Sequence, residues 1–526
     1  LKSIVLSGFM ATGKSTVGPL VAERLGLPFV DTDTLIEKEA GKPVAEAFKS
    51  EGEPAFRARE LRLVEQLLGD GVARVIAFGG GTVTIEKARR LAVDRAVVVT
   101  LTAPPAVVAE RVKDLGLRPN LAVGGDPLAR ARELMAARAP AYAECHIALA
   151  SDVLDPDAIA DAVVAVARRD PLLVPLGARS YPIDVCVGEP SRLTDAIGRA
   201  GPSAVVVVTD SNVQRARGQA LEAALRPLAL DVVKVTLPPG EVHKTLATVS
   251  TIWDGALAAK VDRDALVVAA GGGVVGDLAG FAAACLLRGV RFVQAPTTLL
   301  SMVDSSVGGK TGFDHPSGKN LVGAFHQPTA VVADLEHLET LSARERRAGL
   351  AEVVKIALAT DAHLLDALER SAPALSAGDV AALLPVVRSA IDAKIRVVRD
   401  DERESGARAL LNLGHTVGHA LETHGGYSRW LHGEAVALGT VVELRATASL
   451  GHTPADLPAR AAALFEALGL SAKVSASEVA ACWRFVAGDK KRAGNHLKLP
   501  VVTAPGVSHV EKVPLARLEK AVTGAA

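Results

Sequence analysis

The stretch that most restricts how this chain can fold is residues 4–16. A short apolar run, 4–6, leads into Gly8-Phe9-Met10-Ala11-Thr12-Gly13-Lys14-Ser15-Thr16, which satisfies G-x-x-x-x-G-K-[ST] in full. In such a loop, backbone N–H groups wrap phosphate oxygens, and the helix that follows points its positive end at them. The pattern predicts a strand, a phosphate loop and a helix over 17–25, hence an α/β domain with a parallel sheet. Ala11, Thr12, Gly13 and Thr16 belong to the nucleotide cradle. Lys14 is expected to reach the β- and γ-phosphates of ATP, and Ser15 to ligate Mg²⁺.

At 526 residues the chain has room for two to four domains. Its 59 Lys+Arg balance 59 Asp+Glu, so no basic surface for nucleic acid is expected. Cys145, Cys186, Cys285 and Cys482 are widely spaced and read as buried thiols of a reducing cytoplasm. Residues 265–287 are long and apolar enough to invite a membrane reading. Gly271-Gly272-Gly273 and Asp277 break that stretch, so a buried strand, a turn and a buried helix are predicted, with no membrane partner. The first residues read as a strand and not as a signal peptide.

Residues 29–33 form a second strand ending in Asp31-Thr32-Asp33. A carboxylate placed there can hold Mg²⁺, act as base on a hydroxyl, or cap a helix. Arg57 suits a substrate carboxylate. Strand 75–78 ends in Gly79-Gly80-Gly81, strand 97–101 follows, and Arg118-Pro119 and Arg138-Ala139-Pro140 add two arginines. In that order and spacing, these pieces resemble shikimate kinase over residues 1–168. The resemblance implies that Asp33, Arg57, Gly80 and Arg138 hold shikimate, with Asp33 at the reacting hydroxyl. It makes Arg118 the lid arginine that meets ATP. The lid reads Arg118-Pro119-Asn120-Leu121, where the family pattern is Arg-Pro-Leu-Leu.

A helix running to Arg168-Arg169-Asp170 is broken by Pro171, which marks a joint near 168–171. Beyond it, strand 204–209 ends at Asp210-Ser211-Asn212, and strand 232–237 runs into Pro238-Pro239-Gly240-Glu241, with Lys244 after it. Strand 265–270 meets Gly271, Gly273 and Gly276, spaced as G-x-G-x-x-G. Such strand–polar-loop–helix units predict an α/β nucleotide-binding part over about 172–335. Lys310, Lys319 and Asn320 lie in glycine-rich loops suited to a phosphorylated or carboxylated substrate. From Ser342 onward the pattern turns to long helices, which predicts a helical part over about 336–526.

Four histidines crowd into the last motif, LLNLGHTVGHALETHGGYSRWLHGE: His415, His419, His424 and His432. His415 and His419 are i, i+4 neighbours on one helical face, and His432 lies across a Gly-Gly loop. That is metal-ligand spacing, and Glu352 on a preceding helix can complete the site.

Together LGARSYPI, PPGE with Lys244, GGGVVGD, PTTLLSMVDSSVGGKT, GKN, AEVVK, LLNLGHTVGHALE, HGEAV and Asp489-Lys490-Lys491 resemble 3-dehydroquinate synthase over about 172–526. The resemblance implies a zinc or cobalt ion on Glu352, His415 and His432, with His419 given to the substrate phosphate. It implies NAD contacts at Asp210, Asn212, Glu241, Lys244, Gly272, Gly273, Asp277, Thr297, Thr298, Lys310 and Lys319. Substrate and catalytic contacts fall on Arg288, Asp304, Lys310, Lys319, Asn320, Lys355, Lys394, Arg408, Asn412, His419 and Lys490. The implied reaction is NAD-cycled elimination of phosphate from a heptulosonate phosphate, then ring closure, in a homodimer joined through this unit. Two alternatives share these motifs. In one, the front unit is a non-catalytic ATP sensor. In the other, the rear unit is a related sugar phosphate cyclase or a polyol dehydrogenase.

Overall fold

Short apolar runs buried on both faces need helices on either side, and that requirement shapes the front half of the chain. In this computed structural model, which describes residues 1–112, 126–488, 492–493 and 496–524, two compact units form, Leu1–Asp184 and Val185–Ala526. In the first, β1 (Ser3–Gly8), β2 (Phe29–Asp31), β3 (Val75–Ala77), β4 (Ala96–Thr102) and β5 (Ile147–Ala150) stand in the order β2-β3-β1-β4-β5. All four pairings are parallel. Helix α1 (Lys14–Leu25) leaves β1 through the phosphate loop. Then come α2 (Thr32–Ala40), α3 (Glu53–Gly69), α4 (Pro127–Ala143) and α5 (Pro156–Arg169). Ile4, Leu6, Val97 and Val99 pack on Val17, Val21, Ile159 and Val163 from α1 and α5. Val5, Ile76 and Val98 pack the opposite face against Val64 of α3.

Helix α5 stops where the sequence predicts. Asp170 takes a left-handed conformation, φ 46°, and caps it. A hairpin of β6 (Leu172–Val174) and β7 (Tyr181–Cys186) follows. Leu173 is buried with Val5 and Ile76, so the compact unit extends past the end of α5 to Asp184.

In the second unit, β8 (Ala204–Asp210), β9 (Asp231–Leu237), β10 (Leu266–Gly271) and β11 (Arg291–Pro296) are parallel strands. A two-stranded hairpin, β12 (Lys310–His315) with β13 (Gly318–Phe325), precedes β14 (Ala330–Asp334), which pairs parallel with β11. Residues 265–287 resolve as β10, a glycine turn and α6 (Gly273–Cys285). Among the described residues no helix is long and apolar enough to cross a membrane. A π-helical turn, Ser301–Ser305, carries Asp304; such turns widen a helix locally and gather at functional sites.

The long helices begin with α7 (Ala343–Thr360), capped by Ser342, whose side chain accepts from the Glu345 N–H. Next come α8 (Val380–Asp400), α9 (His415–His424) and α10 (His432–Ser449). Helices α7 and α10 touch backbone to backbone at Gly433, where a Cβ would stand 1.8 Å from the Ala348 carbonyl oxygen. A last sheet joins β15 (Arg492–Ala493), β16 (His496–Ala504) and β17 (Val507–Pro514). Cys145, Cys186 and Cys482 are buried as predicted, but Cys285 is exposed. It is the last residue of α6, where the helix leaves the core.

Candidate active sites

In the first unit the chemistry gathers at the carboxyl end of β1. The loop packs against β4 so closely that a Cβ on Gly8, φ 135°, would lie 2.3 Å from the Leu101 carbonyl oxygen. Gly13, φ 92°, turns the chain into α1. The Lys14 ammonium donates to the Gly8 and Phe9 carbonyls at 2.8 Å each, which folds the loop around the lysine. The Ser15 hydroxyl donates to Asp31 Oδ2 at 2.7 Å, and Asp31 Oδ1 accepts from the Asp33 N–H at 3.0 Å. Of the two acids, Asp31 is thus both the cap of α2 and the partner of the serine expected at Mg²⁺.

A cleft of about 450 Å³ is lined by Ala11–Thr16 together with Asp31, Asp33, Gly80 and Arg111. Arg57 and Arg138 flank its glycine turn. Arg57 bonds Glu60 Oε2 at 2.6 Å, and Arg138 donates to the Gly80 carbonyl at 3.0 Å. Glu60 is buried and also accepts from Thr82 at 2.6 Å. Neither Glu60 nor Arg111, which donates to Ser151, was expected from the sequence. Arg118 and the rest of the lid motif lie outside the described residues.

In the second unit, Asp210, Asn212, Gly240, Gly272, Gly273, Thr297 and Thr298 line a crevice of about 550 Å³. It opens at the carboxyl ends of β8 to β11, where open α/β sheets bind ligands. Asp210 caps the helix after β8, accepting from the Asn212 and Val213 N–H groups. Beside the crevice, a cavity of about 460 Å³ holds Glu241, Lys244, Gly273, Asp277, Lys319 and Asn320 with His419, Glu422 and His432. Lys244 is buried between Asp277 Oδ2 at 2.6 Å and Asn320 Oδ1 at 2.6 Å. Burial opposes its charge, and the surrounding carboxylates more than compensate, raising its pKa.

Glu352, His415 and His432 bring one donor atom each within 4.8 Å of one another. Glu352 is fully buried. Its Oε1 has no hydrogen-bond donor and faces His432 Nε2 at 3.3 Å and His415 Nε2 at 3.7 Å. The opposite ring nitrogens are tied down. His415 Nδ1 meets the Leu413 carbonyl and His432 Nδ1 meets Glu422 Oε2, both at 3.1 Å. Burial opposes charge on His432, yet the Glu352 and Glu422 carboxylates beside it outweigh burial and hold its pKa up at about 10. The i, i+4 pairing of His415 and His419 is realised, with rings 5.2 Å apart. His419, however, groups with Glu422 and His432 and not with Glu352.

An ionic cluster adjoins this donor set. Lys355, fully buried, contacts Glu352 and lies 3.9 Å from Asp304. Lys394 donates to Asp304 Oδ1 at 2.6 Å. Burial drives the Lys394 amine down to about 8, against the pull of Asp304. Lys310 contacts Glu404, which also accepts from Asn412 at 2.8 Å. Arg408 is buried and donates to the Gly308 carbonyl at 3.1 Å. Glu404 and Glu422 were not anticipated. Glu422 had a signal, three residues after His419 on the same helical face; Glu404 sits in a charged run that reads as a solvated loop. Arg288 is exposed just beyond the far end of α6, roughly 20 Å from the crevice. Lys490 lies outside the described residues.

The fold and these sites define a P-loop phosphotransferase unit ahead of an α/β crevice enzyme with a helical histidine–glutamate centre. Family models agree with both halves: "Shikimate kinase" matches residues 10–168, "3-dehydroquinate synthase N-terminal" 234–348 and "3-dehydroquinate synthase C-terminal" 349–492. The 3-dehydroquinate synthase of Pseudomonas fluorescens (strain SBW25) is 51% identical over 302 residues, 57% of this chain and 81% of that protein. That of Pseudomonas putida (strain W619) is 52% identical over the same shares. Among solved structures, 2-epi-5-epi-valiolone synthase from Streptomyces hygroscopicus subsp. jinggangensis 5008, with NAD⁺ and Zn²⁺ bound, is 27% identical. It covers 66% of this chain and 96% of its own, with a TM-score of 0.58. A 2-deoxy-scyllo-inosose synthase shares the fold at 23% identity and TM-score 0.61, covering 68% of this chain and all of its own. The chain belongs to the 3-dehydroquinate synthase family and carries a shikimate kinase domain in front, making it a bifunctional shikimate-pathway enzyme. The sensor, polyol dehydrogenase and other-cyclase readings are not favoured.

Proposed function

We propose that residues 1–168 phosphorylate shikimate with ATP, and that residues 169–526 convert 3-deoxy-D-arabino-heptulosonate 7-phosphate to 3-dehydroquinate and phosphate. The end of α5 at Arg169 and the kinase match ending at 168 support that division, with the dinucleotide part over about 172–335 and the helical part over about 336–526. In the kinase, Ser15 and Asp31 hold Mg²⁺, and Lys14 neutralises charge on the phosphates. Asp33 takes the proton from the attacking hydroxyl, while Arg57, steadied by Glu60, and Arg138 hold the shikimate carboxylate near Gly80.

The observation that carries the synthase reading is Glu352 Oε1, buried and unbonded, facing two imidazole nitrogens whose opposite ring atoms are already oriented. That N,N,O donor set fits zinc or cobalt. When bound, the cation supplies Lewis acidity at a substrate hydroxyl, and NAD in the adjacent crevice supplies reversible hydride transfer. Gly272 and Gly273 let the crevice backbone approach the dinucleotide, while Asp210, Asn212, Thr297 and Thr298 line it. Glu241, Lys244, Asp277 and Lys319 line the cavity beside it. Lys310, Lys355, Lys394 and Arg408 form the anion cradle for phosphate and carboxylate, with Asp304, Asn320 and Asn412 setting its register. His419 donates a proton to the departing phosphate. The same reading makes the protein a cytoplasmic homodimer joined through the second unit. Leu321, Val322 and Phe325, exposed on β13, support such a contact, and sedimentation would measure it.

Paired variants test the assignment. Lys14→Ala should abolish phosphoryl transfer and spare cyclisation. His415→Ala should purify with much less metal, whereas His419→Ala should keep near-stoichiometric metal and lose cyclisation. Equal metal loss from the two histidine variants would restore the two-histidine helix site.

A further inference from the structure

The chain leaves α8 at Asp401 and must reach α9 with Glu404, Arg408 and Asn412 all turned into the anion cradle. Asp401 is buried, and its own N–H is fixed to the Val397 carbonyl at 3.1 Å. Its carboxylate gathers four donors from the following residues. Oδ1 accepts from the Ser405 N–H at 2.8 Å and the Ser405 hydroxyl at 3.0 Å. Oδ2 accepts from the Gly406 N–H at 2.7 Å and the Arg408 N–H at 3.0 Å. Inside that clamp Glu404 sits at φ 57°, a left-handed conformation that a glutamate holds only when its surroundings impose it. From there its carboxylate meets Lys310 and Asn412. Arg408, the last residue clamped, sends its guanidinium to the Gly308 and Glu402 carbonyls.

We propose that Asp401, which touches no expected substrate group, is a positioning residue for cyclisation: it gathers the loop so that Glu404, Arg408 and Asn412 converge. Burial opposes its charge, but the backbone donors of Arg408, Ser405 and Gly406 prevail and hold its pKa down at about 2. The clamp therefore stays ionised throughout any working pH range, and its loss acts equally at every pH. The inference rests on the synthase reading, which the wild-type rate tests separately.

The experiment uses the full chain carrying Asp401→Asn, assayed for cyclisation from pH 6 to 9 alongside wild type. Cyclisation kcat should fall about 10- to 100-fold without a change in the shape of the pH profile, as expected for misplaced catalytic groups. Inhibition by inorganic phosphate should weaken, while bound NAD, bound metal and shikimate kinase turnover stay at wild-type values. Ser405→Ala removes one of the four donors and should show the same signature at about 2- to 5-fold. An unchanged kcat overturns the proposal, and so does a loss that only tracks lost NAD or metal. If Asp401→Asn does not fold, Ser405→Ala decides alone: a wild-type phosphate inhibition constant and kcat overturn it.

Discussion

Lys394 shows how burial sets a chemical property that sequence spacing cannot reveal. Its amine is pressed down to about 8, while the unfolded side chain keeps the ordinary value of 10.5. As pH rises through 8, the folded protein loses a cation from the cradle, and Asp304 loses one of its two ammonium partners. Cyclisation kcat/KM should therefore fall about tenfold per pH unit above 8, since that ratio reports the free enzyme. Lys394→Arg, whose charge persists, should remove that limb; a pH–rate series on the two proteins checks it. The stability sign follows from the same shift. The folded state is penalised below pH 8, and the penalty fades between 8 and 10.5, where the unfolded chain still holds its proton. Asp304, Lys310, Lys355 and Asn412 were legible because each sits in a recognisable motif, whereas Lys394 and Arg408 were named only through the family resemblance. Which residues share a site was less so. Helix spacing allowed His415 and His419 to serve as a ligand pair, and only the position of α7 turned Glu352 toward the first of them. Glu404 was hidden because its role depends on a left-handed turn imposed by a side chain three residues away.

At the scale of elements, the parallel strands were readable because apolar runs such as those of β1, β4, β8 and β10 are buried on both faces. The hairpin β12–β13 was read as loops. Its second strand is mostly exposed, so no alternation of apolar and polar residues marks it. β5 escaped notice as well, since only one of its four residues is fully buried and no unbroken apolar core run marks it. The contact between α7 and α10 was equally invisible, because it depends on the absence of a side chain at Gly433. A methyl group there would meet the Ala348 carbonyl oxygen at 1.8 Å, so one helix must move. Glu352 lies one turn beyond Ala348 on α7, and His432 immediately precedes Gly433 on α10. Gly433→Ala should thus separate two of the three donor groups. Metal affinity should drop about 10- to 100-fold, the range seen when groups that orient ligands are disturbed. Metal titration with a chromophoric chelator measures this, with shikimate kinase turnover as the unaffected control.

For the whole molecule, the phosphate-loop motif lies ahead of Arg169 and the synthase-like motifs lie after it. Cleaving the chain at an engineered protease site between Arg169 and Leu172 should yield two fragments, each turning over its own substrate at close to the parent rate. An inactive front fragment beside a healthy rear one would show that the hairpin, with Leu173 buried among Val5 and Ile76, is part of the kinase core. The joint itself was legible from Pro171, whereas the reach of the first compact unit to Asp184 was not, because it depends on where one leucine side chain is buried. The left-handed cap at Asp170 lets α5 give way to β6 within two residues, and the first compact unit passes into the second at Asp184–Val185 with no linker residues between them in the chain. Every pass of the ribosome therefore delivers one kinase and one cyclase, in a fixed ratio. Gene dosage and promoter strength therefore change the two activities of this chain together, and their balance within it is set by catalytic constants, cofactor loading and substrate supply.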